Sequence, residues 1–259
     1  MKGRALITGA SSGIGAATAK RLAQDGFDLI LTARRTDRLN LFCSELKRDY
    51  PTIQIHSRTL DVRLEADVIA FYEDLDRNRL MPSVLINNAG LAAGLAHVDQ
   101  AVSDDWHRML DTNIKGALFM CKYLIPYFKS QNLGHIVQMS SVVSREVYPG
   151  GSVYSATKHA LDAIHRTLRL ELLPWNIKLT SINPGLVETE FSLVRFNGDQ
   201  ARADAVYQDL EPLRPEDVAD AVAYCLALPP HVNIPELHIT AACQATATRV
   251  RKLDGTLRG

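Results

Sequence analysis

Arg4-Ala-Leu-Ile-Thr8-Gly9-Ala-Ser-Ser-Gly13-Ile-Gly15 is the stretch on which the fold turns. Its first five residues form a short apolar run that reads as a buried strand. A glycine-rich turn follows directly, and Ala16-Ala-Thr-Ala-Lys-Arg-Leu-Ala-Gln24 reads as a helix ended by Gly26. Strand, glycine turn and helix together make a receptor for a pyrophosphate. The glycines let the backbone turn tightly and approach the ligand, and the helix N-terminus supplies N–H donors and a favourable dipole. The spacing is Gly-x-x-x-Gly-x-Gly, not the commoner Gly-x-Gly-x-x-Gly. An ordinary β–α turn is the alternative, and the strand and helix on either side argue against it.

The second strand, Asp28-Leu-Ile-Leu-Thr-Ala33, lies where an NAD site would place an acidic residue on the ribose 2′-hydroxyl. Arg34 and Arg35 stand there instead. Two guanidiniums and no carboxylate favour a 2′-phosphate, and so NADP. Alternation then continues along the chain. Strands are expected at 53–60, 83–86, 134–139, 177–182 and 236–240, with helices at 64–79, from Ser103 onward, around Tyr154 and at 215–228. This pattern predicts an α/β fold: a single-domain, doubly wound parallel sheet of Rossmann type with helices on both faces, spanning 1–259. Ligands on such sheets bind at the carboxyl ends of the strands. The polar motifs all fall at such ends: the glycine turn, Arg34, Asp61-Val62, Asn87-Asn-Ala-Gly90, Ser140-Ser141 and Asn183-Pro184-Gly185.

The rest of the composition narrows the function classes. Formal net charge is zero, which gives no footprint for nucleic acid or an anionic membrane. No apolar run approaches the ~18 residues of a membrane span. A first strand beginning at Arg4 leaves no room for a signal peptide, so a cytoplasmic protein is expected. The four cysteines form no Cys-x-x-Cys pair and read as reduced, mostly buried thiols. The eight histidines show no metal spacing, and no catalytic metal is expected.

Tyr154 and Lys158 sit one helical turn apart on a single face. A free phenol ionises near pH ~10, and a cation held close favours the phenolate, making tyrosine usable as an acid/base group. With these residues in view, the chain resembles the short-chain dehydrogenase/reductase family along essentially its full length. Thr8–Gly15 resembles the family's cofactor loop and Asn87–Gly90 its second signature. Asn113, Ser141, Tyr154 and Lys158 fall where the family places its catalytic tetrad. The spacing from Ser141 to Tyr154 favours Ser141 over the adjacent Ser140. The resemblance implies a cofactor site built from Gly9, Ser11, Ser12, Gly13, Ile14, Gly15, Arg34, Arg35, Asp61, Val62, Asn87, Ala89, Gly90, Tyr154, Lys158, Pro184, Gly185, Val187 and Thr189. It also implies that Lys158 holds the nicotinamide ribose and lowers the pKa of Tyr154, while Asn113 holds a water linking Lys158 to solvent.

Pro184-Gly-Leu-Val-Glu-Thr-Glu-Phe-Ser-Leu-Val-Arg-Phe196 is more specific. With Asp111–Gly116, Tyr148–Gly151 and Leu228–Ile234, it is similar to the NADP-dependent 3-hydroxy acid dehydrogenases, which include serine and L-allo-threonine dehydrogenases. The expected substrate is therefore a small 3-hydroxy acid held by Ser141, Tyr154 and Arg195, under a substrate loop at about 186–212. Arg195 stands among apolar residues, where a guanidinium would take a carboxylate in bidentate fashion. The alternative is that Arg195 pairs with Glu190 or Asp199 and only fixes the loop. Arg145 is a second candidate for the carboxylate. Other readings are a carbonyl reductase of another substrate class and a non-catalytic NADP-binding regulator, against which the complete tetrad argues. Ala117–Ile125 is apolar nearly all round its helix, which suggests a subunit contact and, by the resemblance, a homotetramer.

Overall fold

The computed structural model describes residues 3–259. Its frame is a seven-stranded sheet of β1 (Arg4–Thr8), β2 (Asp28–Ala33), β3 (Ile55–Thr59), β4 (Val84–Asn87), β5 (Gly134–Met139), β6 (Ile177–Pro184) and β7 (Glu236–Ile239). The strands run in the order β3-β2-β1-β4-β5-β6-β7, and every pairing is parallel. The order reverses between β1 and β4, which opens a crevice at their carboxyl ends.

Helices cover both faces because strand side chains alternate between two apolar layers. Ala5, Ile7, Leu29, Leu31, Ile86 and Val137 face one side. They pack there with α1 (Gly13–Gln24), α2 (Thr36–Asp49) and α9 (Pro215–Ala227). Leu6, Ile30, Leu85, Ile136 and Leu179 face the other side, against α3 (Glu65–Arg77) and α5 (Ala117–Gln131). The four cysteines are free; Cys43, Cys121 and Cys225 are buried. Among the described residues, no helix is long and apolar enough to cross a membrane.

The helix expected from Ser103 onward differs from a single continuous rod. It consists of α4 (Ser103–Met109), a π-helical segment Leu110–Gly116, and α5. The wider π turn brings Gly116 against Val62, where an added Cβ would lie 2.7 Å from a Val62 methyl. Val62 itself is buried in this contact with the α3/α5 layer. The apolar girth of α5 is largely covered within the chain: Met120, Cys121, Leu124 and Phe128 are buried, and Phe119, Tyr123, Ile125 and Tyr127 pack against the same layer.

After β5 come the loop bearing Ser141 and the long helix α6 (Ser152–Glu171), which presents Tyr154 and Lys158 inward. After β6 the chain makes two short helices, α7 (Phe191–Arg195) and α8 (Gln200–Ala205), before returning to α9. The last residues form a small hairpin, β8 (Val250–Arg251) with β9 (Leu257–Arg258).

Candidate active site

A cavity of about 660 Å³ opens at the carboxyl ends of the strands. Its floor is the glycine turn. Gly15 has no room for a side chain, since a Cβ would sit 2.4 Å from the Gly9 carbonyl oxygen. Gly13 has φ +54°, in the left-handed region, and an added Cβ would touch the Thr189 side chain at 3.4 Å. The turn is thus bare backbone at the head of α1, with the loop after β6 lying across it. Such a cradle fits a pyrophosphate. Asn88 braces it by donating from Nδ2 to the Thr8 carbonyl at 2.8 Å, while the Thr8 hydroxyl accepts from Asn88 N and Ala89 N at 2.9 Å each.

Of the two adjacent asparagines, Asn88 borders the cavity. The Asn87 side chain points to the α5 side of the sheet and donates to Ala117 O at 3.0 Å and Gln138 Oε1 at 3.1 Å. Ala89, Gly90, Pro184, Gly185, Val187 and Thr189 line the cavity with Ser12, Gly13 and Ile14.

Beyond the cradle stands a cluster of arginines. Arg35 donates to Ser12 Oγ at 2.8 Å and to Ser11 Oγ at 3.4 Å. Arg34 is exposed beside Arg63 and Asp61, and its pKa is lowered, first by burial of part of the group and then by Arg63. Asp61 is held by Arg63 at 2.9 and 3.0 Å, and this keeps its carboxyl below the usual range. Arg38 and Arg63 join the two arginines read from the sequence. Arg38 lies in the first turn of α2, directly after the strand end that carries Arg34 and Arg35.

At the other end of the cavity, Tyr154 and Lys158 are both buried. Lys158 Nζ donates to the Met139 carbonyl at 3.1 Å, and burial lowers its pKa to about 8. Burial pushes the Tyr154 phenol up to about 12. Arg195 is the cation that opposes this rise, and a hydrogen bond with Ser141 opposes it further. Lys158 was expected to be that cation, but its ammonium is drawn to the Met139 carbonyl, 5.8 Å from the ring centroid. Ser141, not Ser140, is the hydroxyl that acts to lower the phenol's pKa; its Oγ also donates to the Pro184 carbonyl at 3.4 Å, while Ser140 Oγ is buried without a partner. Asn113 lies in the π segment and braces the cavity wall. It donates to Leu91 O at 2.8 Å and Thr157 Oγ1 at 3.1 Å, and accepts from Leu91 N at 2.9 Å.

Arg195 sits in an aromatic box, its guanidinium carbon 5.2 Å from the Tyr154 ring centroid, 5.3 Å from Phe191 and 5.8 Å from Tyr148. It donates from Nη2 to the Tyr148 hydroxyl at 2.8 Å, and its Nε is buried without a partner. The two carboxylates that could have neutralised it are engaged elsewhere. Glu190 is taken by Arg35 and Arg38, and Asp199 accepts from Arg202 N at the head of α8. Arg145 lies outside the cavity and is corrected from a carboxylate ligand to a structural ion-pair partner, bound to Asp162 at 3.0 Å and Glu236 at 2.8 Å. Tyr148 was not singled out from the sequence as a site residue. Only the fold brings it to Arg195.

Fold and site define an α/β dinucleotide-type cleft that ends in a buried tyrosine–lysine–serine group. A family model described as short chain dehydrogenase matches residues 3–198. The chain belongs to that family and is an oxidoreductase. It is 40% identical over 241 residues to sulfoacetaldehyde reductase 2 of Chromohalobacter salexigens, covering 93% of this chain and 94% of the relative. It is 40% identical to the NADP-dependent 3-hydroxy acid dehydrogenase of Schizosaccharomyces pombe, covering 95% of each. Among solved structures it is similar to the closed form of a serine dehydrogenase complexed with NADP+, with TM-score 0.90, 38% identity, and coverage of 94% of this chain and 97% of that one.

Proposed function

We propose that this enzyme transfers a hydride between NADP and a short anion bearing a hydroxyl on the carbon β to its acidic group, such as serine, L-allo-threonine or 3-hydroxyisobutyrate. The observation that carries the substrate class is Arg195: a guanidinium against the Tyr154 ring, with an unpaired buried Nε and its nearby carboxylates engaged elsewhere. A half-buried guanidinium with an unpaired buried donor calls for an anionic partner.

The cofactor would lie with its pyrophosphate on Ser12, Gly13 and Ile14, its ribose 2′-phosphate by Arg34 and Arg35, and its nicotinamide end near Lys158, Pro184, Gly185, Val187 and Thr189. The glycine cradle fits it. When bound, the nicotinamide supplies the hydride acceptor and, in its oxidised form, a positive charge. In alcohol oxidation Tyr154 accepts the hydroxyl proton as general base, and in carbonyl reduction it returns that proton. Ser141 donates to the substrate oxygen and holds it at the phenol. Lys158, held by Met139, keeps a cation beneath the ribose. Asn113 is a positioning residue for the Ala89–Leu91 wall. Residues 186–212 act as the substrate loop, and Arg195 docks the acidic group.

A second reading is favoured by the likeness to a sulfoacetaldehyde reductase. In sulfoacetaldehyde the carbonyl carbon is also β to the acidic atom, so the same arginine and tyrosine could serve a carboxylate or a sulfonate. We further propose a homotetramer, in which the exposed Leu118, Leu170 and Leu173 would be covered by other subunits. The test of the main reading is an initial-rate panel with NADP+ on serine, L-allo-threonine, 3-hydroxyisobutyrate, 3-hydroxypropionate and simple secondary alcohols, with sulfoacetaldehyde and NADPH alongside. Turnover confined to the anions supports it. Faster turnover of the neutral alcohols would overturn it.

A further inference from the structure

The cofactor end and the substrate end of the cleft are joined by a side-chain contact that neither role requires. Glu190 stands immediately before α7, the helix that carries Phe191 and Arg195. Its carboxylate accepts from both terminal guanidinium nitrogens of Arg38, Nη1 at 2.9 Å and Nη2 at 2.5 Å, and from Nη1 of Arg35 at 3.1 Å. Those arginines belong to the far bank, at the end of β2 and the start of α2. The contact therefore spans the cleft above the glycine turn, with Thr189 lying against Gly13 beneath it. On the near bank the segment is fastened by several bonds. Glu188 N donates to Leu213 O at 2.8 Å, Arg195 O accepts from Gly94 N at 2.9 Å, Arg195 Nη2 donates to the Tyr148 hydroxyl at 2.8 Å, and the Ser192 and Tyr207 hydroxyls meet at 2.9 Å. Glu190, unlike these, crosses to the arginine bank. The Arg38 fork, seconded by Arg35, keeps the Glu190 carboxyl below its usual range, so the contact is ionic at neutral pH.

We propose that Glu190 and Arg38 form a clasp that fastens the substrate-side helix α7 over the cofactor cleft. The clasp retains the cofactor and sets Arg195 against Tyr154. The proposal rests on the reading of this cleft as an NADP site. Arg35 shares its donors between Glu190 and the serines of the glycine turn, whereas Arg38 gives both terminal nitrogens to Glu190. Arg38 therefore acts through Glu190 and is the partner to test. The chemistry at Tyr154 lies beyond Phe191, whose ring meets the tyrosine edge-on at 5.7 Å, so the clasp positions and does not transfer protons. Exposed ion pairs are individually weak, but a bidentate fork with a second arginine belongs to the stronger kind.

The experiment is stopped-flow release of NADPH from wild type, Glu190→Gln, Arg38→Met and the double variant, with substrate KM and the pH profile of kcat measured on the same proteins. Each single change should speed release roughly three- to tenfold and raise substrate KM by a similar factor, leaving the pH profile in place. The double variant should be little worse than either single one, because both break one contact. Both side chains are partly exposed, 49% for Arg38 and 38% for Glu190, so the fold should survive either change. Release rates equal to wild type in both single variants, or effects that multiply in the double variant, would overturn the clasp. A wild-type protein that binds NADPH no better than NADH would overturn the cofactor reading instead, and release of NADH would then test the clasp in the same way.

Discussion

The two ends of the cleft are built by different means. The cofactor end is backbone: a turn at the head of α1 in which Gly15 is pressed to the Gly9 carbonyl and Asn88 ties the neighbouring strand ends together. The substrate end is side chain: Arg195, Tyr148, Phe191 and Tyr154 stacked on one another from three separate segments. A backbone cradle tolerates few sequences and leaves a local signature. A side-chain box leaves a weaker one: Tyr154 and Arg195 can be picked out singly, but that the two tyrosines meet the Phe191/Arg195 helix is settled only in space.

The largest effect should come where the two ends meet. Tyr154→Phe keeps the ring against Phe191 and Arg195 but removes the proton carrier. Turnover should fall by at least ~10²–10⁴-fold, while NADP+ affinity in equilibrium titration stays within about threefold. Retention of a tenth of the activity would end the acid/base assignment. Because burial holds this phenol up at about 12, with Arg195 opposing, the base form is scarce at neutrality. The oxidation rate of the intact enzyme should therefore rise with pH, and the reductive rate should not.

Next comes a change confined to the cofactor end. Arg34→Asp should lower kcat/KM for NADP+ by about tenfold or more, each charge-assisted phosphate contact amounting to roughly 1.5–3 kcal/mol, and should leave NAD+ almost untouched. Equal losses with both cofactors would mean that Arg34 supports the loop and does not read the phosphate.

The last effect is on stability, not turnover, and belongs to the sheet that both ends share. His135 is buried on β5, bonded to Thr180 Oγ1 at 2.9 Å, and burial depresses its pKa to about 3. The folded state keeps this ring neutral where the unfolded chain protonates it. Stability from this group is therefore full above pH ~6.5 and is lost as pH falls towards 3, by up to ~1.4 kcal/mol per pH unit. Denaturant melts at pH 7 and pH 5 should differ more in the wild type than in His135→Gln. An equal difference in both would show that other groups set the acid limit.

The same contrast explains how far the sequence carried. Strand alternation and the glycine turn are local patterns, so β1, β2 and β5 fall on the residues expected of them, and the glycine turn, Ala89-Gly90, Ser140-Ser141 and Pro184-Gly185 line one cavity, while Arg34, Asp61-Val62, Asn87 and Asn183 are not among its lining residues. The π segment Leu110–Gly116 was hidden because a single wider turn within a run of helix carries no residue-type signature of its own. Arg145 looked available because its partners Asp162 and Glu236 are remote in sequence. The sequence reading took Asn87 for the cofactor site and passed over Asn88, because only the fold shows that Asn87 turns toward α5 and that Asn88 borders the cavity. The Glu190 contact with Arg35 and Arg38 was invisible for the same reason, although Arg35 and Glu190 stand in stretches that were read.

The central claim is that Arg195 recognises the anionic group of the substrate while Tyr154 handles its hydroxyl. The most direct measurement compares serine with serinol, which lacks the carboxylate, as substrates of the wild type and of Arg195→Met, with saturating NADP+. The account predicts that wild type favours serine at least tenfold in kcat/KM, and that Arg195→Met removes this preference mainly through KM, since one charge-assisted contact is worth roughly 1.5–3 kcal/mol. Equal use of serine and serinol by the wild type, or an unchanged serine preference in Arg195→Met, would contradict it.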